Sequence, residues 1–379
     1  MGRRALLVTT VSGFVPQFEM NSVELLQKGG YEVHYATNYN NVFYGKDNSR
    51  LDGTGIIRHQ IDFTRSPYSK QTITAYKQLE NLMNQIQFDV VHCHTPMGSF
   101  LARLVGHKLN VPQIIYTAHG FHFYKGAPVI NNLIYRTVEK YMARYTDAIL
   151  TINEEDYQNA LKFKLRNGGR IYKIAGAGID TKLFMDNSDN GKSIRKELGF
   201  SDDDYVVLSV GELNVNKNQE VIIRAISALK EQRIKYIVCG EGNNKDYLKK
   251  LVFDLNLEKQ VYLLGFRKDI PDVCHAADLY VFPSHREGLP VAMMEAMASG
   301  LPVLASNVRG NIDLIHDGVN GYLIPPDNYE QWAKKISYLF KNCSIGKEMG
   351  QRNIEMIQKY DRSAVRSQLF EIYRRQGVL

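Results

Sequence analysis

Short apolar runs alternate with helix-length amphipathic segments along nearly the whole chain of 379 residues, and this alternation constrains the fold more than any other feature. Runs that are apolar throughout predict strands buried on both faces, and the amphipathic segments between them predict helices that cover those faces. Strand–helix alternation of this kind builds a parallel sheet. The predicted strands are Ala5–Thr10, Tyr31–Ala36, Val90–His92, Gln113–Thr117, Ala148–Ile152, Tyr205–Val210, Tyr236–Cys239, Val261–Leu264, Leu279–Phe282, Val303–Ser306 and Tyr322–Ile324. The clearest predicted helices are Asn21–Lys28, Glu220–Lys230, Asp246–Leu255 and Arg362–Arg375.

The alternation falls into two series, separated by a turn-rich stretch around Asp186–Ser193. With 44% hydrophobic residues, a chain of this length is too long for one core of ordinary size. We therefore predict an α/β protein of two doubly wound parallel-sheet domains, comprising residues 1–180 and 201–360, with a linker at 181–200 and a C-terminal helix in 361–379. Doubly wound sheets bind ligands at the carboxyl ends of their strands, so a two-substrate reaction is expected in the cleft between the domains.

Charge and cysteine usage exclude several classes of protein. Lys plus Arg outnumber Asp plus Glu by 47 to 40, and the net charge of +7 is too small for a dedicated nucleic-acid-binding protein. The excess lies in residues 1–180, with 20 basic against 14 acidic residues, and includes the basic segment Lys162–Lys173. An anionic membrane surface would suit this half, although a solvated basic face explains it equally well. The four cysteines are widely spaced, which indicates neither a zinc site nor a disulfide framework and suits a reducing cytoplasm.

The start of the second series has the features of an anion site. The strand Tyr205–Val210 ends at Gly211, and Lys217 stands directly before Asn218, the predicted N-cap of the next helix. The free amides and the dipole of a helix N-terminus favour negative charge, so this turn is a candidate phosphate site, with an ordinary surface lysine as the alternative. The nearby Gly240-Glu-Gly242 lacks the third glycine of a dinucleotide fingerprint, which argues against a dehydrogenase.

Two carboxylates lie in the segment 284–300, which follows the predicted strand Leu279–Phe282. Pro290 suits the first turn of a helix, and Glu287 at its N-terminus is stabilised by the helix dipole whatever its function. Glu295 has methionine and alanine neighbours and no Lys or Arg within four residues. A carboxylate in such surroundings needs hydrogen-bond donors from elsewhere, such as ribose or sugar hydroxyls. The alternative is an exposed glutamate or a distant ion pair.

The first domain carries a segment, Tyr116–Pro128, that is dense in histidine, glycine and aromatic residues. This composition is typical of loops that stack on ligands, although a histidine such as His119 can equally be structural. His92 and His94 share a strand face, but no third ligand is evident, so we predict no metal there. The loop at 12–14, after the first strand, is predicted to face the same crevice.

Together these motifs resemble those of family-4 glycosyltransferases with the GT-B fold, and the resemblance covers essentially the whole chain. The signature is Glu287-x7-Glu295 within Pro-Ser-x-x-Glu-Gly-Leu-Pro. Supporting matches are Val210-Gly-Glu-Leu with Lys217, Gly240-Glu-Gly242, Leu264-Gly-Phe-Arg-Lys-Asp269, Gly178-Ile-Asp180 and Asn320-Gly-Tyr-Leu323. The segment 117–128 is similar to that of members that build bacterial exopolysaccharide and capsule on a lipid carrier.

The resemblance implies a retaining, metal-independent enzyme that needs no cofactor and moves a hexose or N-acetylhexosamine from a nucleotide sugar, with UDP expected. It implies a saccharide acceptor on a polyprenyl diphosphate carrier, a cytoplasmic location at the inner face of the plasma membrane, and a C-terminal helix that crosses back to the first domain. Nucleic acid is not an expected partner.

The resemblance also assigns roles to individual residues. Three are implied in catalysis: Lys217 would neutralise the leaving diphosphate, Glu287 would hold donor-sugar hydroxyls, and His119 would position the transferred sugar. Among the other implied donor-binding residues, Phe266 and Arg267 would flank the base, and Glu295 would bind the ribose diol. Gly288 and Leu289 would contact the donor sugar through their amides. The remaining implied donor-binding residues are Gly13, Gly240 and Pro290.

Two positions depart from the family pattern. Glu212 stands where many members carry an arginine for the diphosphate, and Ala177 stands where an asparagine is expected. Arg286, Arg309 or Lys125 could supply the missing cation. Two alternative functions follow from the sequence: a catalytically inactive scaffold of a polysaccharide assembly complex, which Glu212 suggests, and a non-hydrolysing nucleotide-sugar epimerase, which shares two α/β domains.

Overall fold

The computed structural model describes residues 2–45, 47–66, 68–186 and 190–379. The chain forms two compact units. The first contains the residues up to Gly178 together with Arg362–Leu379, and the second contains Ile179–Asp361. None of the described helices is long and apolar enough to cross a bilayer. All four cysteines are free thiols, and only Cys343 is exposed.

The first unit is built on a seven-stranded parallel sheet. Its strands are β1 (Arg3–Val8), β2 (Tyr31–Thr37), β3 (Ile57–Gln60), β4 (Val90–His94), β5 (Gln113–Ala118), β6 (Ala148–Thr151) and β7 (Arg170–Lys173). The strand order is β3-β2-β1-β4-β5-β6-β7, and Ala5 of β1 pairs with Val33 on one side and Val90 on the other. The order therefore runs outwards from β1 and β4, which places the switch point of a doubly wound sheet between these two strands.

Helices cover this sheet on both faces. They are α1 (Met20–Lys28), α2 (Gln71–Gln85), α3 (Pro96–Lys108), α4 (Val129–Met142) and α5 (Glu154–Ala160). A π-helical segment, Val15–Glu19, leads directly into α1. The core forms where Leu6 and Val91 of the strands meet Leu79 and Leu101 of the helices, all of them buried.

The second unit has a six-stranded parallel sheet in the order β10-β9-β8-β11-β12-β13. Its strands are β8 (Tyr205–Val210), β9 (Ile234–Cys239), β10 (Val261–Gly265), β11 (Leu279–Phe282), β12 (Val303–Ser306) and β13 (Gly321–Ile324). Its helices are α6 (Thr181–Met185), α7 (Asn190–Glu197), α8 (Gln219–Leu229), α9 (Lys245–Asp254), α10 (Ile270–Ala276), α11 (Val291–Ala298), α12 (Asn311–Leu314), α13 (Tyr329–Lys341) and α14 (Cys343–Ile357). Trp332 of α13 is fully buried in the core of this unit.

The last helix, α15 (Arg362–Arg375), belongs to the first unit. It packs against α1, where Arg366 Nη1 lies 3.0 Å from Glu24 Oε2. The Tyr373 hydroxyl lies 2.7 Å from His92 Nδ1, so α15 also contributes to the buried interior of that unit.

The two doubly wound parallel sheets confirm the predicted fold class. Strands β3 and β7 were not predicted, because both are short edge strands without a fully buried residue and so lack the apolar run of a central strand. The segment 181–200, predicted as a linker, instead carries α6 and α7 within the second unit, with residues 187–189 outside the described residues. The polar composition of this segment did not indicate that α7 packs on the second unit. In the structure, Ile194 is buried and Arg195 Nη2 lies 2.6 Å from Asp278 Oδ2.

Candidate active site

In the second unit, the turn after β8 brings Lys217 to Glu287. The Asn214 side chain accepts a hydrogen bond from the Lys217 amide at 2.9 Å and so starts a 3₁₀ turn, Val215–Lys217. Lys217 Nζ donates to Glu287 Oε1 at 2.7 Å and lies 4.6 Å from the centroid of the Phe282 ring. Both charged side chains are largely shielded from water, with 22% and 12% of their surfaces exposed. A cation and a carboxylate therefore stand together at the carboxyl ends of β8 and β11.

The loop that carries Glu287 is fixed from two sides. The His285 amide donates to the Asn216 carbonyl oxygen at 2.8 Å, and Asn216 Nδ2 donates to the Arg286 carbonyl oxygen at 3.0 Å. From the other side, Arg309 Nε donates to the Glu287 carbonyl oxygen at 3.1 Å. The buried Arg309 is therefore a second cation beside this loop, in addition to Lys217, whereas the side chain of Arg286 is exposed.

Gly288 and Leu289 follow Glu287 in the same loop. Among the described residues, neither backbone amide has a hydrogen-bond partner. Gly310 packs so closely on the loop that a Cβ atom there would lie 2.4 Å from the Gly288 carbonyl oxygen. Pro290 is the N-cap of α11 rather than a residue of its first turn. Two free amides thus lie directly before the N-terminus of α11, where an acceptor oxygen is favoured.

Glu295 lies in α11 with buried Met293, Met294, Ala296 and Met297 as neighbours. Its carboxylate forms no hydrogen bond or ion pair with any described residue, and desolvation raises its pKa to about 7. A ligand that donates hydrogen bonds to the carboxylate would favour the ionised form. That the Glu295 carboxylate accepts hydrogen bonds from a bound ligand therefore remains a prediction.

Gly240 directly follows β9, at a position that tolerates no side chain. Its φ is +151°, and a Cβ atom there would lie 1.9 Å from the Gly211 carbonyl oxygen. Glycine thus lets the ends of β8 and β9 approach each other. Glu212, at the position where an arginine was expected, is exposed.

Phe266 and Arg267 follow β10 and differ in their availability. Phe266 is 68% exposed, so its ring is free to stack on a planar group. Arg267 Nε donates to Asp269 Oδ1 at 2.9 Å, and its Nη1 donates to Glu197 Oε1 at 2.9 Å. These carboxylates raise the pKa of Arg267 and occupy its donors, so only the face of the guanidinium could contact a base.

In the first unit, His119 lies at the end of β5 in a cluster with Glu19 and His94. Glu19 Oε1 is 3.0 Å from His119 Nε2 and 3.3 Å from His94 Nδ1. Burial raises the pKa of Glu19, but the neighbouring His94 and His119 outweigh it and lower the pKa to about 2. Burial lowers the pKa of His94 well below its ordinary value. Near neutral pH the cluster thus holds an ionised carboxylate and a neutral His94.

A buried polar network extends from this cluster. Glu19 Oε2 accepts a hydrogen bond from Ser22 Oγ at 2.8 Å. His92 Nδ1 lies 2.7 Å from the Tyr373 hydroxyl, and its Nε2 lies 2.8 Å from Thr117 Oγ1. Burial lowers the pKa of His92 to about 4, so this histidine is neutral as well. Residues from α1, β4, β5 and α15 therefore support the surroundings of His119.

The loop at 12–14 lies against the same cluster. The Phe14 ring packs edge-on against His119, with 4.8 Å between the ring centroids. Gly13 has no space for a side chain, because a Cβ atom would lie 1.5 Å from the Phe43 carbonyl oxygen. Within the first unit, the structure thus brings together two of the segments that the sequence singled out.

Glu19 was missed from the sequence. We expected no third group near His92 and His94, and the structure corrects this, because the ligand-type atoms of Glu19, His94 and His119 lie within 4.8 Å of one another and could hold a metal ion. The sequence did contain a signal, because Glu19 is a lone carboxylate between the apolar residues Phe18 and Met20, and the same kind of surroundings identified Glu295. A π-helical segment lacks the 3.6-residue periodicity of an α-helix, so the sequence pattern did not indicate that Glu19 points inwards.

Comparison with known proteins gives a consistent result. Residues 190–356 match the family described as glycosyl transferases group 1, and residues 5–153 match the family described as glycosyl transferase 4-like. The chain is 34% identical to a Bacillus subtilis (strain 168) protein provisionally named glycosyltransferase EpsD, over 98% of this chain and 97% of that protein. It is 29% identical to an Escherichia coli enzyme named UDP-Gal:alpha-D-GlcNAc-diphosphoundecaprenol alpha-1,3-galactosyltransferase, over 72% of this chain and 73% of that enzyme.

Solved structures show the same fold. The crystal structure of HepE from Anabaena in complex with UDP and glucose matches 99% of this chain and 100% of that chain, with a TM-score of 0.78 and 19% identity. At this identity, the likeness establishes the shared arrangement of elements and no more.

Proposed function

Because this chain belongs to the group 1 glycosyl transferases and is a glycosyltransferase with the GT-B fold, we propose that it transfers a hexose or N-acetylhexosamine from UDP to a saccharide carried on a polyprenyl diphosphate. We further propose that the transfer retains the anomeric configuration and needs neither a metal nor another cofactor. The reaction would take place in the cytoplasm, on the inner face of the plasma membrane, during synthesis of an exopolysaccharide or capsule.

The observation that carries the proposal is the Glu295 carboxylate. It lies among buried methionines with no hydrogen-bond partner among the described residues, and its pKa is raised to about 7. A ribose diol offers two adjacent hydroxyl donors, which match the two oxygens of a carboxylate. Binding a nucleoside would therefore compensate the desolvation of this group.

Lys217 and Glu287 suit the remaining parts of a nucleotide sugar. Transfer passes through an oxocarbenium-like state while a diphosphate leaves, so stabilising the leaving charge is the main chemical task. Lys217 can supply a cation, the free amides of Gly288 and Leu289 can donate hydrogen bonds, and Glu287 can accept them from sugar hydroxyls. In the absence of a donor, the Lys217–Glu287 ion pair keeps both side chains in place.

His119 is proposed to contact the transferred sugar, with Glu19 holding its ring in one orientation. No second carboxylate in the proposed site is assigned as a covalent nucleophile. We therefore propose that the leaving group departs and the acceptor attacks from the same face, and that the leaving phosphate accepts the acceptor's hydroxyl proton. Trapping of a glycosyl-enzyme adduct would contradict this mechanism.

The acceptor and the donor base are proposed from the relatives. The Escherichia coli relative is named for a UDP-sugar donor and a diphosphoundecaprenol-linked acceptor. Peripheral contact with an anionic membrane surface is part of the same proposal, since an acceptor of this kind resides in a bilayer.

Isothermal titration with UDP, GDP and their sugars, without metal, tests the donor site directly. We expect one nucleotide to bind at about micromolar strength, and Glu295→Gln to weaken that binding tenfold or more, which is about 1.4 kcal/mol. Absence of binding to any of them would contradict the proposal. Binding without transfer to any acceptor would favour the scaffold, and conversion of the donor without an acceptor would favour the epimerase.

A further inference from the structure

Helix α4 packs with its polar side towards the protein. Asn132 Oδ1 accepts from the Tyr124 amide at 2.9 Å, and Glu139 Oε2 accepts from Nη1 of the buried Arg103 at 2.9 Å. Met142, the last residue of α4, is the only one of its fourteen residues that is buried. A surface helix ordinarily turns its apolar stripe to the core and its polar side to water. In α4 this arrangement is inverted.

The apolar side of α4 faces outwards. Val129, Ile130 and Leu133 are 82%, 71% and 68% exposed. The α4 face, as we call it, consists of Ile130, Leu133, Ile134, Val138 and Tyr141, all of them exposed. At 3.6 residues per turn, these five positions span an arc of about 140°. A contiguous exposed patch of aliphatic and aromatic residues marks an interaction surface.

The exposed charged residues of the segment 125–145, which contains α4, all have the same sign. Lys125, Arg136, Lys140 and Arg144 are exposed. Glu139, the one acidic residue between positions 125 and 145, points inward to Arg103. An apolar helix face bordered by basic residues is typical of helices that lie in the interface of an anionic bilayer. A second copy of the chain would present the same positive charges, and like charges disfavour such a contact.

We propose that the α4 face is a membrane-docking surface that inserts into the headgroup region of an anionic bilayer, while its basic neighbours contact lipid phosphates. The inference deepens the proposed function and rests on it, since it concerns an enzyme whose acceptor is anchored in lipid. Pro128 is the N-cap of α4, so the loop that begins at His119 leads directly into this helix. Docking through α4 holds that loop close to the membrane surface.

The basic segment Lys162–Lys173 is a weaker candidate for this role. Arg166 forms an ion pair with Asp147, and Lys173 forms one with Glu154, so two of its cations are already engaged. Its buried side chains, Phe163 and Leu165, face the core and leave little apolar surface for insertion.

Sedimentation with vesicles of phosphatidylcholine, with and without phosphatidylglycerol, tests the proposal on the full chain. We expect binding only to the anionic vesicles, and a drop of about tenfold or more in the double variant Ile130→Ser, Ile134→Ser, because two aliphatic side chains are lost from the inserted face. The matched control is Phe253→Ser on α9, which removes a side chain 68% exposed. Equal binding by the α4 variant and the wild type would overturn the proposal.

Charge reversal separates insertion from simple attraction. Arg136→Glu with Lys140→Glu should abolish the preference for anionic vesicles, whereas Lys249→Glu with Lys250→Glu, two exposed residues of α9, should leave it. High salt should weaken the binding of the wild type to anionic vesicles, and it should not restore vesicle binding to the serine variant. Concentration-dependent dimerisation that the serine variant abolishes would instead identify the face as a contact between copies and overturn the proposal.

The outcomes for the α4 face and for the proposed function can be told apart. UDP titration on the same variants should match the wild type, because none of the substituted residues belongs to the candidate active site. Vesicle binding without UDP binding would leave the docking surface in place and remove the proposed donor. UDP binding without vesicle binding would overturn the docking surface and leave the proposed donor in place.

Discussion

Lys217 Nζ lies 2.7 Å from Glu287 Oε1, so the cation proposed for the leaving diphosphate is paired with the carboxylate proposed for the donor sugar. The two residues are seventy positions apart and meet because β8 and β11 are neighbours in the sheet. Shielding from water strengthens the pair, and it also makes either partner costly to remove alone.

Replacing Lys217 tests its role in stabilising the leaving group. We expect Lys217→Gln to lower kcat/KM about 100-fold, since the loss of one group that stabilises transition-state charge costs about 3 kcal/mol. Lys217→Arg should recover part of the loss, and Lys249→Gln on the exposed side of α9 should have no effect. Steady-state kinetics would contradict the assignment if Lys217→Gln behaved like this control.

The affinity for UDP should depend on pH through Glu295. Its pKa is raised to about 7, and only the ionised form accepts both ribose hydroxyl protons. Below pH 7 the wild-type affinity, taken relative to Glu295→Gln, should therefore fall by up to about tenfold per pH unit, and above pH 7 the ratio should be constant. Using the ratio cancels the titration of the UDP phosphates. A ratio that does not change between pH 5 and pH 8 would remove Glu295 from the ribose site.

The same group makes a prediction for stability without ligand. The pKa of Glu295 is raised in the folded chain, so the folded state holds a proton that the unfolded state releases, and stability falls as pH rises from about 4.5 to about 7. Glu295→Gln should therefore raise the free energy of unfolding by about 2 kcal/mol at pH 8 and have little effect at pH 4. Denaturant unfolding at the two pH values measures this, with Glu258→Gln, an exposed residue, as the control. Stabilisation that is equal at both pH values would exclude a titration of Glu295.

The positions of the candidate site residues follow from local sequence pattern more directly in the second unit than in the first. Lys217, Glu287 and Glu295 each follow a buried strand or sit in an apolar helix, so their positions can be read from local pattern. The cluster around His119 depends on Glu19, which reaches it from a π-helical segment about a hundred residues away along the chain. The local periodicity of a sequence cannot predict a contact between residues so far apart along the chain. In the same way, the pattern of α4 predicts two faces but does not say which of them packs inwards.

Glu19 is predicted to be a positioning residue for His119. Glu19→Gln should lower kcat about tenfold while leaving the donor KM within about twofold, because a neutral amide orients the His119 imidazole less strongly than a carboxylate does. The loss should appear in kcat per folded enzyme, which a purely structural defect would not lower. Glu24→Gln, on the exposed side of α1, is the matched control. A loss of kcat in proportion to the loss of folded protein would contradict this role.

Chelation tests whether the cluster of Glu19, His94 and His119 works with or without a metal. Because Lys217 and the free amides of Gly288 and Leu289 can stabilise the leaving diphosphate, we expect activity after dialysis against EDTA to stay within about twofold of the untreated enzyme. Zn²⁺ added afterwards should inhibit, because it would draw the His119 nitrogen away from the sugar, and Glu19→Gln should reduce that inhibition by removing one of three ligands. The control is the same titration with Mg²⁺, which binds histidine poorly and should have no effect. Activity that EDTA abolishes and one divalent cation restores would show that the transfer depends on a metal.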